Sequence, residues 1–129
     1  MPIVIVIAIL IDVIGAIQIA LDFPFRLALF GVVLGSVPSA IVRILTILVT
    51  GVVVLGLWKR VWAAAIAYAV VNLVSVTSSF CNYLRLGPDE ILQITGVRTQ
   101  STSSTYMVIY AMLVAVLIVA VIRQRNYFR

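Results

Sequence analysis

Histidine is absent from this 129-residue chain, cysteine occurs once, and only four residues are acidic. Those shortages exclude chemistry. A tetrahedral zinc site, a histidine-ligated haem, and a Cys/His or Ser/His nucleophile pair all need side chains that the chain does not hold. Of the acids Asp12, Asp22, Asp89 and Glu90, only Asp12 stands in the middle of an apolar run. Asp89 and Glu90 are neighbours, so on a helix they point in different directions rather than forming an acid/base pair. The lone Cys81 can form no internal disulfide and reads as a buried or interfacial small apolar residue. Neither G-x-x-x-x-G-K-[ST] nor G-x-G-x-x-G occurs. The expectation is a non-enzymatic chain with no cofactor and no metal.

What is present is apolar. The composition is 64% hydrophobic and 10% charged, with a mean hydropathy of +1.27, against roughly 45–50% apolar and about 25% charged in soluble domains. An integral membrane protein is predicted, built as a single membrane domain over residues 1–129. The first twenty residues lack a basic n-region, Asp12 interrupts their core and no A-x-A site follows, so they read as a retained span rather than a signal. About 20 helical residues cross a hydrocarbon core about 30 Å thick. Spans are predicted at about 3–21, 38–57, 61–81 and 105–122. The fold class is therefore all-α: a polytopic bundle of four transmembrane helices.

The connection between the first two spans is awkward. From Phe25 to Leu57 the chain is apolar apart from Arg43 and a few hydroxyls, too long for one comfortable span and too short for two with a turn. Pro24 and Pro38 are the expected break points. A short interfacial or re-entrant helix is placed between them at about 26–36. It carries Gly31-Val32-Val33-Leu34-Gly35, a G-x-x-x-G read as a helix-packing surface. The polar segment from about 82 to 104 is the other outer connection. Within it Gly87-Pro88-Asp89-Glu90 followed by Ile91-Leu92-Gln93-Ile94 predicts a short helix, stopped at Gly96, on the membrane surface or over the mouth of the bundle.

Orientation follows from the bases. Lys59 and Arg60 fall between spans two and three, and Arg123, Arg125 and Arg129 form the tail, so four spans bring all five to one side. That side is expected to be cytoplasmic, with both termini on it. Trp58, Trp62, Tyr127 and Phe128 would mark the inner interface, and Phe23, Phe25, Phe80, Tyr83 and Tyr106 the outer one. The net charge of +5 does not point to nucleic acid, because the bases flank apolar spans and no basic patch with interleaved aromatics stands clear of them. The expected surroundings are a lipid bilayer and either another membrane protein or a second copy of the chain.

Candidate functional residues come from depth and helical phase. Asp12 and Asn72 fall at similar depth, and Arg43 lies about 7 Å to the outer side of the middle of span two. An Asp12–Arg43 salt bridge completed by Asn72 is expected. Tyr68, Asn72, Ser75 and Ser79 share one helical stripe, and Ser39, Arg43, Thr46 and Thr50 another. Asp12, Gly15, Gln18 and Asp22 form a looser stripe on span one. The stripes should face each other, because membrane-buried ionisable groups point into the bundle. Asp12, Arg43, Asn72, Gln18 and Ser75 are thus the predicted intramembrane polar centre. Two readings remain open: a satisfied cluster that sets helix register, and a protonatable or substrate-binding centre.

The stretches "GLWKRVWAAAIAYAV" and "VIRQRNYFR" give the chain a short basic turn flanked by tryptophans and a basic-aromatic ending. In this layout it resembles the small four-helix integral membrane proteins of unknown function that are widespread in bacteria, a resemblance that implies the fold and no activity. Small multidrug transporters are similar in having four helices and an acid in the first span. Here the acid is aspartate rather than glutamate, its flanking sequence differs, and Arg43 would oppose a cationic substrate. The expected function is a non-catalytic interaction or accessory component, the alternative being a small oligomeric transporter or channel that uses Asp12, Arg43 and Asn72.

Overall fold

The computed structural model describes residues 1–21, 26–87 and 104–129. Among the described residues four helices carry the fold: α1 Ile3–Leu21, α2 Ser36–Trp58, α3 Trp62–Leu86 and α4 Ser104–Arg123, followed by a 3-10 turn at Arg125–Tyr127. Each is long and apolar enough to cross a membrane. Leucine, isoleucine, valine and alanine in unbroken runs leave little besides helix for the backbone when water is scarce, because the helix pairs each of its own polar groups. The chain of α1 begins as Ile5 and Val6 donate to Pro2 O at 3.0 and 3.3 Å. The second helix begins two residues before Pro38, which costs nothing there, since the first turn has no preceding acceptor to lose. The third runs on to Leu86 rather than stopping near 81, closed by Gly87 at φ +74.

Consecutive helices pack side by side, and α4 closes back on α1 through a smaller contact. At one end of the bundle, α2 turns into α3 through Lys59, Arg60 and Val61, and the C-terminal tail folds beneath that turn. There Arg129 N donates to Arg60 O at 2.8 Å and Trp62 N to Arg129 O at 3.4 Å. The hydrophobic core is concentrated in this half: Ile5, Ala8 and Ile9 meet Val53, Leu57, Ala64, Ala65, Tyr68, Ile118, Val121 and Phe128. Outward faces carry Leu10, Ile14, Leu48, Val52, Val70, Leu73, Met112 and Leu113, all exposed. A contiguous apolar surface of this kind belongs against lipid or another protein.

The segment expected as a short helix at 26–36 is a β-hairpin instead. Ala28–Leu29 (β1) pairs antiparallel with Val32–Val33 (β2), Leu29 opposite Val32. The connecting Phe30 and Gly31 have φ 49° and 77°, the two left-handed positions of a two-residue type I′ turn. A glycine at the second turn position and β-branched residues beside it favour the hairpin over a helix, in which Gly31 and Gly35 would each be unfavourable. Gly31 and Gly35 are therefore not a helix-packing pair: the first is a turn residue and the second the N-cap of α2. The predicted helix after Gly87, and Asp22, Phe23, Phe25, Asp89 and Glu90, lie outside the described residues.

Candidate functional site

Two polar clusters lie along the bundle, separated by depth. The first is central. Asp12 stands about 14 Å along α1 and Asn72 about 15 Å along α3, both measured from the end that holds the α2–α3 turn, at about 1.5 Å per residue. Both are half-buried. The Asn72 amide lies within interaction reach of the Asp12 carboxyl, while its Nδ2 donates to Tyr68 O of its own helix at 2.9 Å. Tyr68, buried to 2%, lies within electrostatic reach of both Asp12 and Tyr110. One carboxyl, one amide and two phenols from α1, α3 and α4 thus share the middle of the bundle.

Arg43 is not among them. It is 4% exposed, and its Nη1 donates to Ile19 O, near the end of α1, at 3.3 Å. The expected Asp12–Arg43 bridge is replaced by two separate contacts, and helix geometry explains why. Side chains lean toward the N-terminus of their own helix. Because α1 and α2 are antiparallel, Asp12 leans toward the α2–α3 turn while Arg43 leans away from it, which widens an axial offset of about 9 Å. Arg43 instead reaches one of the last four carbonyls of α1, which have no partner within the helix and sit at its negative pole. Gln18 and Ser75 are exposed and take no part in the centre.

The second cluster holds the hairpin. Asn82 grips its backbone with both amide atoms: Gly31 N donates to Asn82 Oδ1 at 2.7 Å, and Asn82 Nδ2 donates to Ala28 O at 2.8 Å. Phe30 N donates to Ser78 Oγ at 3.1 Å, and Leu27 N to Ser39 Oγ at 3.0 Å. Arg26 Nε and Leu27 O close the open end through Leu34, at 3.0 and 2.8 Å. Ser39 and Ser78 are 2% and 5% exposed. Ser39 was legible as part of the α2 stripe. Ser78 and Asn82 were not, because Ser78 stands about 120° around α3 from Asn72 and is covered by the hairpin rather than by another helix. The signal that could have found them is the pairing of small polar residues on α3 with a turn-forming Phe-Gly, whose backbone groups need partners when buried.

The hairpin so held displays Phe30, 43% exposed, and Val32, 55% exposed. Phe30 carries a backbone conformation that a bulky side chain rarely adopts. Gly31 sits against α3, where an added Cβ would overlap Arg85 Cδ and lie 2.8 Å from Arg85 Cβ. Among the described residues no group of three potential metal ligands is found. Comparison with family models, with curated proteins and with solved structures finds no match to this chain.

Proposed function

We propose that this chain is a small multi-pass integral membrane protein that serves as a non-catalytic interaction or accessory component, docking through its outer hairpin onto another membrane protein. The observation that carries this reading is Phe30. A bulky residue in the left-handed region costs about 1–3 kcal/mol and persists only where its surroundings hold it, and such strain clusters at functional positions. Here Ser78 and Asn82 hold the strained turn while its ring remains exposed. In this reading both termini face the cytoplasm, which is supported by the gathering of Lys59, Arg60, Arg123, Arg125 and Arg129 at one end through the tail and the α2–α3 turn.

The test uses Phe30→Asn. Asparagine tolerates the left-handed region and Asn-Gly is the preferred type I′ pair. The variant should therefore be as stable as the parent or more so, and should lose the protein that co-purifies with the parent in mild detergent. Retention of the same partner by a well-folded variant would reject the hairpin as the docking element.

A second reading is favoured by one observation: Arg43 is directed to the end of α1, so it does not oppose a cation at Asp12. Asp12 with Asn72, Tyr68 and Tyr110 would then serve proton or cation passage in an oligomer. Under that reading Asp12→Ala abolishes flux in proteoliposomes while the helical bundle persists; under the first, no flux changes.

A further inference from the structure

The end of the bundle that holds the α2–α3 turn is chemically one-sided. Residues 55–62 and 119–129 contain five bases and no acid. Aromatic rings hold two of the bases in place: the Arg60 guanidinium lies 5.0 Å from the Tyr127 ring centre, and that of Arg125 lies 5.7 Å from the Trp62 ring. Trp62 and Phe128 meet edge to face at 5.7 Å, which ties the tail to the turn. Arg60 itself sits at φ 63°, fixed by the bond from Arg129 N. These contacts make the basic end a shaped surface rather than a set of loose side chains.

A groove runs along the outward face of α4 to this end. It is lined by Ala115, Val116, Val119 and Ala120, and it finishes at Arg123 and Gln124. The lining belongs to this one helix and its last turn, so the groove is shallow and open along its outer side, with the small Ala115 and Ala120 in its floor. Its upper part offers only apolar atoms, and its foot offers a guanidinium and an amide, both hydrogen-bond donors suited to a phosphate. A flexible hydrocarbon chain ending in an anionic phosphate has that same polarity along its length.

We infer that this groove seats one acyl chain of an anionic phospholipid, with the lipid phosphate on Arg123 and Gln124 and the neighbouring bases supplying the field that selects it. The inference rests on the membrane reading above but not on the docking role of the hairpin. Basic clusters beside membrane spans attract anionic lipids, each base contributing an attraction equivalent to about fivefold in affinity. Zwitterionic phosphatidylcholine gains nothing from that field. The groove gives the attraction a fixed position, which a diffuse charge layer lacks.

Native mass spectrometry of the full chain, released from detergent after incubation with equal amounts of phosphatidylglycerol and phosphatidylcholine, tests it. One phosphatidylglycerol should be retained, about fivefold over phosphatidylcholine. Arg123→Gln should cut that preference most, and Ala115→Phe, which fills the groove from an exposed position, should remove the retained lipid. Lys59→Gln, outside the groove, should keep the lipid and weaken the preference less. Soluble glycerol phosphate should not compete, since it lacks the acyl chain. Equal retention of the two lipids, an effect of Lys59→Gln as large as that of Arg123→Gln, or full displacement by glycerol phosphate would each overturn the inference. A chain that partitions into the aqueous phase without detergent would instead defeat the membrane reading on which it rests.

Discussion

At the scale of single residues, the polar side chains at depth divide by what they touch. Asn82 matters most for the outer end, because one side chain satisfies a donor and an acceptor of the hairpin backbone at 2.7 and 2.8 Å. Removing it leaves Gly31 N–H and Ala28 C=O without that partner, at a cost of about 1–3 kcal/mol. Asn82→Ala should lower the unfolding free energy in mixed micelles by that amount. Thr77→Val, which removes only a local bond to Leu73 O, should change it by less than about 0.5 kcal/mol. The separation of Asp12 from Arg43 has its own signature. Asp12→Asn and Arg43→Gln should be additive within about 0.5 kcal/mol in a double-mutant cycle, as for residues that do not contact each other. A coupling of about 1.5 kcal/mol or more would show that the two charges act on each other after all.

At the scale of elements, the two glycines of the G-x-x-x-G do unlike work. Gly31 combines φ +77 with contact against Arg85, so Gly31→Ala is strained in its backbone and crowded against α3. A loss of more than about 1 kcal/mol is expected, with faster hydrogen exchange at the Phe30 and Gly31 amides as the turn leaves Ser78 and Asn82. Gly35 has φ −65 and would only touch Pro38 at an ordinary 3.6 Å. Because α2 has no side-chain cap there, Gly35→Ser should be neutral or gain a few tenths of a kcal/mol. The glycine that brings two helices together is Gly56, whose added Cβ would overlap Ala64 Cβ of α3.

For the whole molecule, the tail is what ties the end of the last helix to the α2–α3 turn at the basic end. Phe128 is 9% exposed and packs on Trp62 and Tyr127. Phe128→Ala should cost about 3 kcal/mol, as for other buried aromatic truncations. In a Trp58→Phe background, the Trp62 emission should shift to the red as the tail lifts away. A variant with unchanged stability and emission would mean that the tail does not close the bundle. The apolar half around Leu57 and the hydrogen-bonded half around Asn82 should also differ in amide exchange, with the apolar half slower.

Hydropathy alone settled the four long helices seen among the described residues and nearly where they begin and end, because an apolar run of about 20 residues has one way to satisfy its backbone without water. Helical phase also made the inward stripe of Ser39 and Arg43 legible, along with the meeting of Asp12 and Asn72. Three matters were decided only in the folded molecule. The 26–36 segment became a hairpin because its polar backbone atoms found Ser78 and Asn82, partners some 50 residues away in sequence. Arg43 went to the end of α1 because antiparallel helices lean their side chains apart. The basic end acquired its shape because the tail folded under the turn. Period and composition report what each segment wants for itself, whereas a contact between distant segments depends on which atoms the packing leaves unpaired.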